Sequence, residues 1–278
     1  AVEAAKKYAG TEITVTWEAG LQSLDPLNFT GPMFEELTGV KVKVIEVPGG
    51  ELFTKTLQEH RAGTGAYDAL NVIPSWMDLV RAGALEDLGP FVDKYGYREH
   101  LETIAPVYRD NQMTVNGKIY GLPDDGDIFV FYYRKDILGD PAIQEAFKAK
   151  HGYDLPVPPT TWDQFSDVGS FISAFTNNKP YGAAFIREAG AAQFMFMERF
   201  RNNGGRFFDA DTMKATVNSA AGVDVFKAWV EENKWMPPGV QTWGFVENLA
   251  AFQQGDTAMT ISWPPYGRWA AGYGTETE

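Results

Sequence analysis

The segment YGLPDDGDIFVFYYRKD, residues 120–136, sets three aspartates around one glycine and then runs into six apolar or aromatic residues. Asp-Gly is a turn signal, because both residues tolerate the backbone angles a tight turn needs. "KIYGLP" before it and "IFVFYYRKD" after it both read as strands, with no room for a helix between them. Asp124, Asp125 and Asp127 are then either a solvated turn or a ligand grip at the crossing between two lobes.

Upstream of this crossing, strand and helix patterns alternate. "EITVTW" (12–17) reads as a strand and "VKVKVIEV" alternates with period two. "TGPMFEELTG" offers Thr30 as a cap, Pro32 in the first turn and Gly39 as a stop. "ELFTKTLQEHRAG" groups Leu52, Phe53 and Leu57 on a helix ending near Gly63, "YDALNVIP" reads as a buried strand, and "SWMDLVRAGAL" as a short helix. Strands separated by helices imply βαβ units with a mostly parallel sheet. Ligands on such sheets gather beyond the carboxyl ends of the strands, which is where Glu18, Gln22, Ser75 and Trp76 fall. Trp76 is also readable as a core anchor beneath its loop.

Downstream, Thr161 and Gln164 in "PTTWDQF" form a capping box for a helix with Phe165, Val168, Ile172 and Phe175 on one face. "YGAAFI" is a strand, "AQFMFMERFRNNGG" a helix closed by Gly204 and Gly205, and "NSAAGVDVFKAWVEEN" a helix capped by Ser219 that presents Val223, Phe226 and Val230. "FVENLAAFQQG" is a helix and "TAMTISW" a strand ending at Trp263. Two α/β units are therefore expected, 1–123 and 124–278, with a hinge near 120–130.

A chain of 278 residues suits this division, since single cores stop growing near roughly 250 residues. With 24 basic against 37 acidic residues the net charge is −13, which disfavours nucleic acid and anionic membranes as partners. There are no cysteines, so disulfides, thiolate metal sites and cysteine nucleophiles are excluded. No apolar run approaches the roughly 18 residues a membrane-spanning helix needs. The opening AVEAAKKYAG has no hydrophobic signal core, so any export signal is expected to have been removed already.

Most catalytic signatures are missing. There is no G-x-S-x-G, no H-E-x-x-H, no P-loop and no complete dinucleotide loop, and "DADTM" (209–213) breaks the calcium-loop pattern. His60, His100 and His151 are scattered. No metal or cofactor site is legible. Two of Asp124, Asp125 and Asp127 could serve a glycosidase as its carboxylate pair, or act only as acceptors for sugar hydroxyls. Trp17, Trp76, Trp243, Trp263, Tyr266 and Trp269 sit at strand ends or in loops, suited to stack on the C–H face of a pyranose. Trp162, Trp229 and Trp235 read as core. In "SWPPY" the paired prolines stop the strand and hold Trp263 and Tyr266 in a stiff turn. Arg187 and Glu188, just past "YGAAFI", are either cleft groups or an exposed loop pair.

Together, "NGKIYGLPDDGDIFVFYYRKDIL", "PPTTWDQF", "NNGGRFFD" and "AAFQQGDTAMTISWPPY", with "FEELTGVKVKV" and "WMDLVRAGALEDL", resemble the sugar-binding branch of bacterial ABC-transporter solute-binding proteins, the maltose-binding-protein-like family. The resemblance runs along essentially the whole chain. It implies a two-lobe periplasmic-binding-protein fold (type II) of α/β lobes that enclose a sugar, oligosaccharide or polyol in an interlobe cleft as they close. It places Asp127 against a sugar hydroxyl at the hinge, and lines the cleft with the Glu18–Gln22 loop, the Trp76 loop and the "SWPPY" turn, Trp263 being the stacking platform. The ligand-binding set expected is Glu18, Gln22, Trp76, Asp125, Asp127, Arg187, Trp243, Trp263 and Tyr266. The resemblance further implies a monomeric, non-enzymatic receptor, periplasmic or lipid-anchored at the outer face of the cytoplasmic membrane, that delivers its ligand to the permease subunits of an importer. Family members are longer, because after the strand matched by "AMTISW" their chain returns to the first lobe and then completes the second. The fold is expected to be truncated at the carboxyl end and to expose apolar surface. A glycoside-active enzyme using an Asp pair, and a receptor for a cationic solute such as a polyamine or betaine, are the competing readings.

Overall fold

The computed structural model describes residues 2–20, 22–72, 76–189 and 191–271. The chain divides into two compact units, Ala1–Gly126 and Asp127–Glu278, so the division falls inside the DDGD turn, against the expected 123/124.

In the first unit, β1 (Glu12–Glu18) lies between β2 (Lys41–Val47) and β3 (Ala69–Leu70), all parallel. Register is set by apolar pairs such as Val15 opposite Val44. Helix α1 (Thr30–Thr38) returns the chain from β1 to β2 and ends at Gly39, whose φ of 74° is the left-handed cap conformation glycine adopts without strain. Thr30 is not the cap. It sits inside the helix, and its hydroxyl donates to Asp25 at 2.7 Å. Helix α2 (Gly49–Ala62) buries Leu52 and ends at Gly63, and α3 (Trp76–Arg81) buries Leu79. Ile73, Pro74 and Ser75, the end of the expected third strand and one candidate cleft residue, lie outside the described residues. A second cluster of Val92, Leu101, Met113 and Ile119 packs the short helices that follow against the hairpin of β4 (Thr114–Val115) and β5 (Lys118–Ile119).

The strands expected on both sides of the DDGD turn are shorter than their patterns. Residues 120–129 are irregular, and β6 covers only Val130–Tyr133. Pro123 cannot donate to a ladder, and the three aspartates are poor strand formers.

In the second unit, β8 (Thr257–Ser262) is central. It pairs antiparallel with β6 and parallel with β7 (Tyr181–Ala183). All six of its residues are buried, including Thr257, Thr260 and Ser262. Around this sheet pack α4 (Pro141–His151), α5 (Trp162–Phe175), α6 (Ala192–Asn202), α7 (Ala220–Glu232), α8 (Phe245–Gln253) and α9 (Pro265–Ala270). Thr161 caps α5 by accepting the Gln164 N–H, while the Gln164 side chain accepts from Thr160 rather than closing the reciprocal box. Ser173 in α5 links helix to sheet, accepting the Gly182 N–H at 2.7 Å and donating to the Trp235 carbonyl at 2.6 Å. The core joins Phe147, Phe165, Ile172, Phe185 and Met259, with Trp162, Trp229 and Trp235 packed against it as expected.

One expectation fails here. Ser219 precedes α7 without capping it through its side chain. The apolar stripe that α7 presents is open: Val223, Phe226 and Val230 are 39%, 56% and 63% exposed.

Candidate functional site

The expected site residues form one group in each unit. In the first, β1 ends at Glu18, whose half-buried carboxyl is pushed up by desolvation. Gly49, opening α2, makes room for it, since a Cβ at Gly49 would lie 2.3 Å from Glu18 Oε1. The loop after β1 and the DDGD turn, far apart in sequence, meet where Gln22 Nε2 donates to Asp125 Oδ2 at 3.4 Å. The other carboxylate oxygen of Asp125 accepts the Gly126 N–H at 2.8 Å. The Asp124 carboxyl is pushed up by partial burial and then by the charges of Asp125 and Asp25, although the residue as a whole stays exposed. Thr30 donates to Asp25. Asp124 and Asp125 are thus part of a cluster of oxygen acceptors with Asp25, to which Gln22 adds an amide. Trp76 is partly exposed as the first residue of α3. Asp25 went unrecognised in the sequence, where "LDP" reads as ordinary loop.

In the second unit, Asp127 is exposed at the start of the segment leading into β6. Trp263, immediately after β8, is partly exposed and ringed by aromatics. Its ring centroid lies 5.4 Å from Phe129, 5.9 Å from Phe194 and 5.9 Å from Phe245, at interplanar angles of 42°, 78° and 40°. The Tyr132 hydroxyl donates to the carbonyls of Trp263 and Pro264, tying the end of β8 to β6. Trp243 is partly buried against the core. Phe129, Phe194 and Phe245 were missed because each sits in a run readable as ordinary strand or helix core.

Two expected ligand contacts are corrected. Tyr266 is fully buried between Tyr132, Phe245 and Phe252, and burial drives its hydroxyl pKa upward. Pro264 and Pro265 start a helix rather than a stiff turn, because proline is preorganised for a first helical turn. That helix swings Tyr266 inward.

Arg187 is neither a cleft group nor an exposed loop pair; it is 7% exposed. One terminal nitrogen donates to the Trp229 carbonyl (2.9 Å) and Asn233 (2.6 Å), the other to Glu232 (2.7 Å). Its guanidinium also stacks over Phe185 and Trp229 at 4.5 and 5.1 Å. Glu232 accepts in addition from Arg199 at 2.5 Å and Ser166 at 3.1 Å. Burial holds Arg187 down at about 10, against the support of Glu232.

Among the described residues, no three His, Cys, Asp or Glu side chains converge as a metal site. Nor is any helix among them long and apolar enough to cross a membrane. The chemistry offered is carboxylate and amide acceptors in one unit and a partly open aromatic face in the other.

The profile of the bacterial extracellular solute-binding proteins matches residues 4–276. The chain belongs to that family. Members of this family are transport binding proteins rather than enzymes. A probable amino-acid ABC transporter periplasmic-binding protein of Sinorhizobium fredii is 25% identical, over 93% of this chain and 57% of its own length. The mannitol-binding protein of Pseudomonas aeruginosa is 28% identical over 58% of this chain and 34% of its own. A crystal structure of an ABC-transporter solute-binding protein from Agrobacterium radiobacter K84, in complex with ribitol, superimposes with a TM-score of 0.77 at 24% identity, covering 97% of this chain and 63% of that one. The family's type II α/β fold is therefore this chain's fold, and the chain spans about three-fifths of the length of relatives matched along nearly all of it.

Proposed function

We propose that this solute-binding chain recognises a sugar or polyol and delivers it, unchanged and as a monomer, to the membrane permease of an ABC importer on the outer side of the cytoplasmic membrane. The observation that carries this reading is the partly exposed Trp263 ring held among Phe129, Phe194 and Phe245. Such a face suits the C–H surface of a polyhydroxylated ligand, while Asp127, exposed in the same unit, is the kind of acceptor its hydroxyls need. A relative named for mannitol and a solved solute-binding protein in complex with ribitol support that ligand class. Trp243, in the same unit, is a secondary contact in this reading. No catalytic role is assigned to the aspartates.

The test is a thermal-shift panel of ribitol, mannitol, maltose, amino acids and spermidine, followed by calorimetry. A ligand that binds only the folded state raises the midpoint. A shift with a sugar or polyol that is weakened about tenfold, near 1.4 kcal/mol, by Trp263→Ala is the expected result. A shift with spermidine alone, abolished by salt, would transfer the reading to cationic solutes. A shift with amino acids alone would overturn the carbohydrate assignment.

A further inference from the structure

We infer that Arg187 is a positioning residue that holds the aromatic platform around Trp263 in place without touching the ligand. The inference rests on reading that platform as ligand surface. The side chain is locked from below, its terminal nitrogens engaged by Glu232, Asn233 and the Trp229 carbonyl, three groups at the end of α7. What the lock holds is the backbone. The N–H groups of Arg187 and Glu188 both donate to the Trp243 carbonyl, at 2.9 and 3.0 Å.

Two routes lead from this pair of residues to Trp263. The Glu188 carbonyl accepts the Ala192 N–H at 2.9 Å, fixing the start of α6, which carries Phe194. The Trp243 carbonyl fixes the segment into Gly244, whose N–H is held by Glu247 and which is followed by Phe245, the first residue of α8. The Glu188 carboxylate packs on the same turn, since a Cβ at Gly244 would lie 2.5 Å from its Oε1. Phe194 and Phe245 are two of the three rings around Trp263. Moving Arg187 therefore moves two of Trp263's supports together, and a platform misplaced by about 1 Å binds poorly.

Arg187→Met is a usable variant because Arg199 and Ser166 still satisfy Glu232. In the 278-residue chain, Arg187→Met is measured alone and combined with Trp263→Phe, using ribitol and maltose as probes. The expected result is about tenfold weaker binding from Arg187→Met alone and less than twofold in the Trp263→Phe background, because both changes act on one platform. Arg187→Lys, which keeps a charge for Glu232 but loses the fork onto Trp229 and Asn233, is expected to restore affinity only in part. An undiminished effect of Arg187→Met in the Trp263→Phe background would overturn the inference in favour of direct contact. A second readout needs no ligand: with 5-fluorotryptophan incorporated, the fluorine resonance of Trp263, assigned through Trp263→Phe, is expected to move in Arg187→Met and to stay put in the surface control Lys234→Met. An unmoved Trp263 resonance refutes the positioning role. If no probe binds the unmodified chain, the carbohydrate reading fails, and this resonance still decides the role of Arg187.

Discussion

Glu232→Gln removes one charge from a site where two arginines share it. Glu232 is 1% exposed and accepts from Arg187, Arg199 and Ser166 at 2.7, 2.5 and 3.1 Å. The substitution keeps shape and volume but leaves two buried guanidinium groups without a counter-charge. Breaking a buried ion pair by removing one partner costs about 3–5 kcal/mol, a large share of the roughly 5–15 kcal/mol that holds a domain folded. At about 2–4 °C per kcal/mol for a chain of this size class, the melting midpoint should fall by about 6–20 °C. Glu231→Gln is the control, because Glu231 sits next in sequence in an exposed pair with Lys234 and should change stability by less than about 0.5 kcal/mol. The pH dependence has a definite sign. Arg187 has a folded pKa of about 10, below its ordinary 12.5, so its protonated form destabilises the fold and that penalty lifts as pH rises between the two values. Losing Glu232 removes a support for the charged form, so the deficit of Glu232→Gln should be largest at neutral pH and narrow toward pH 10. Thermal denaturation followed by circular dichroism at pH 7 and pH 10 reads both effects. A fall of under about 2 °C, or one matched by Glu231→Gln, would refute the view that this network holds the second unit together.

Gly182→Ala should destabilise by more than the 1–3 kcal/mol typical of overpacking, because its Cβ would lie 1.9 Å from the Gly169 carbonyl oxygen, where helix α5 meets β7; a chemical-denaturation midpoint unchanged from the parent would count against that packing. Desolvation raises the folded pKa of Glu18, so its ionised form disfavours the fold, and the stability it retains when protonated is lost as pH rises through that pKa. Glu18→Gln should accordingly melt higher than the parent at pH 7 and lose that advantage below the ordinary glutamate value of 4.5; an advantage that grows in acid would reverse the assignment. Val230→Lys, on the exposed stripe of α7, should leave the melting midpoint within about 2 °C and reduce light scattering on concentration, since Val230 is 63% exposed; a large loss of stability would show that this face is covered.

Local signals made much of the fold legible. The alternation of "VKVKVIEV" specifies β2, Gly39 and Gly63 stop their helices in left-handed caps, and Thr161 caps α5, because each depends on residues a few positions apart. The candidate site was legible only as residue types near strand ends. "SWPPY" gives no sign that its prolines open a helix and turn Tyr266 into the core while leaving Trp263 partly open.

The amino-acid order by itself therefore determined the alternation of strands and helices and the absence of thiol chemistry, both consequences of local backbone preference and composition. Only tertiary structure decided which side of that backbone each polar group faces. Arg187 is buried because Glu232, 45 residues away, supplies its counter-charge, and Asp125 meets Gln22 across 103 residues. A buried charge depends on partners that the fold brings close, and sequence spacing does not encode that proximity.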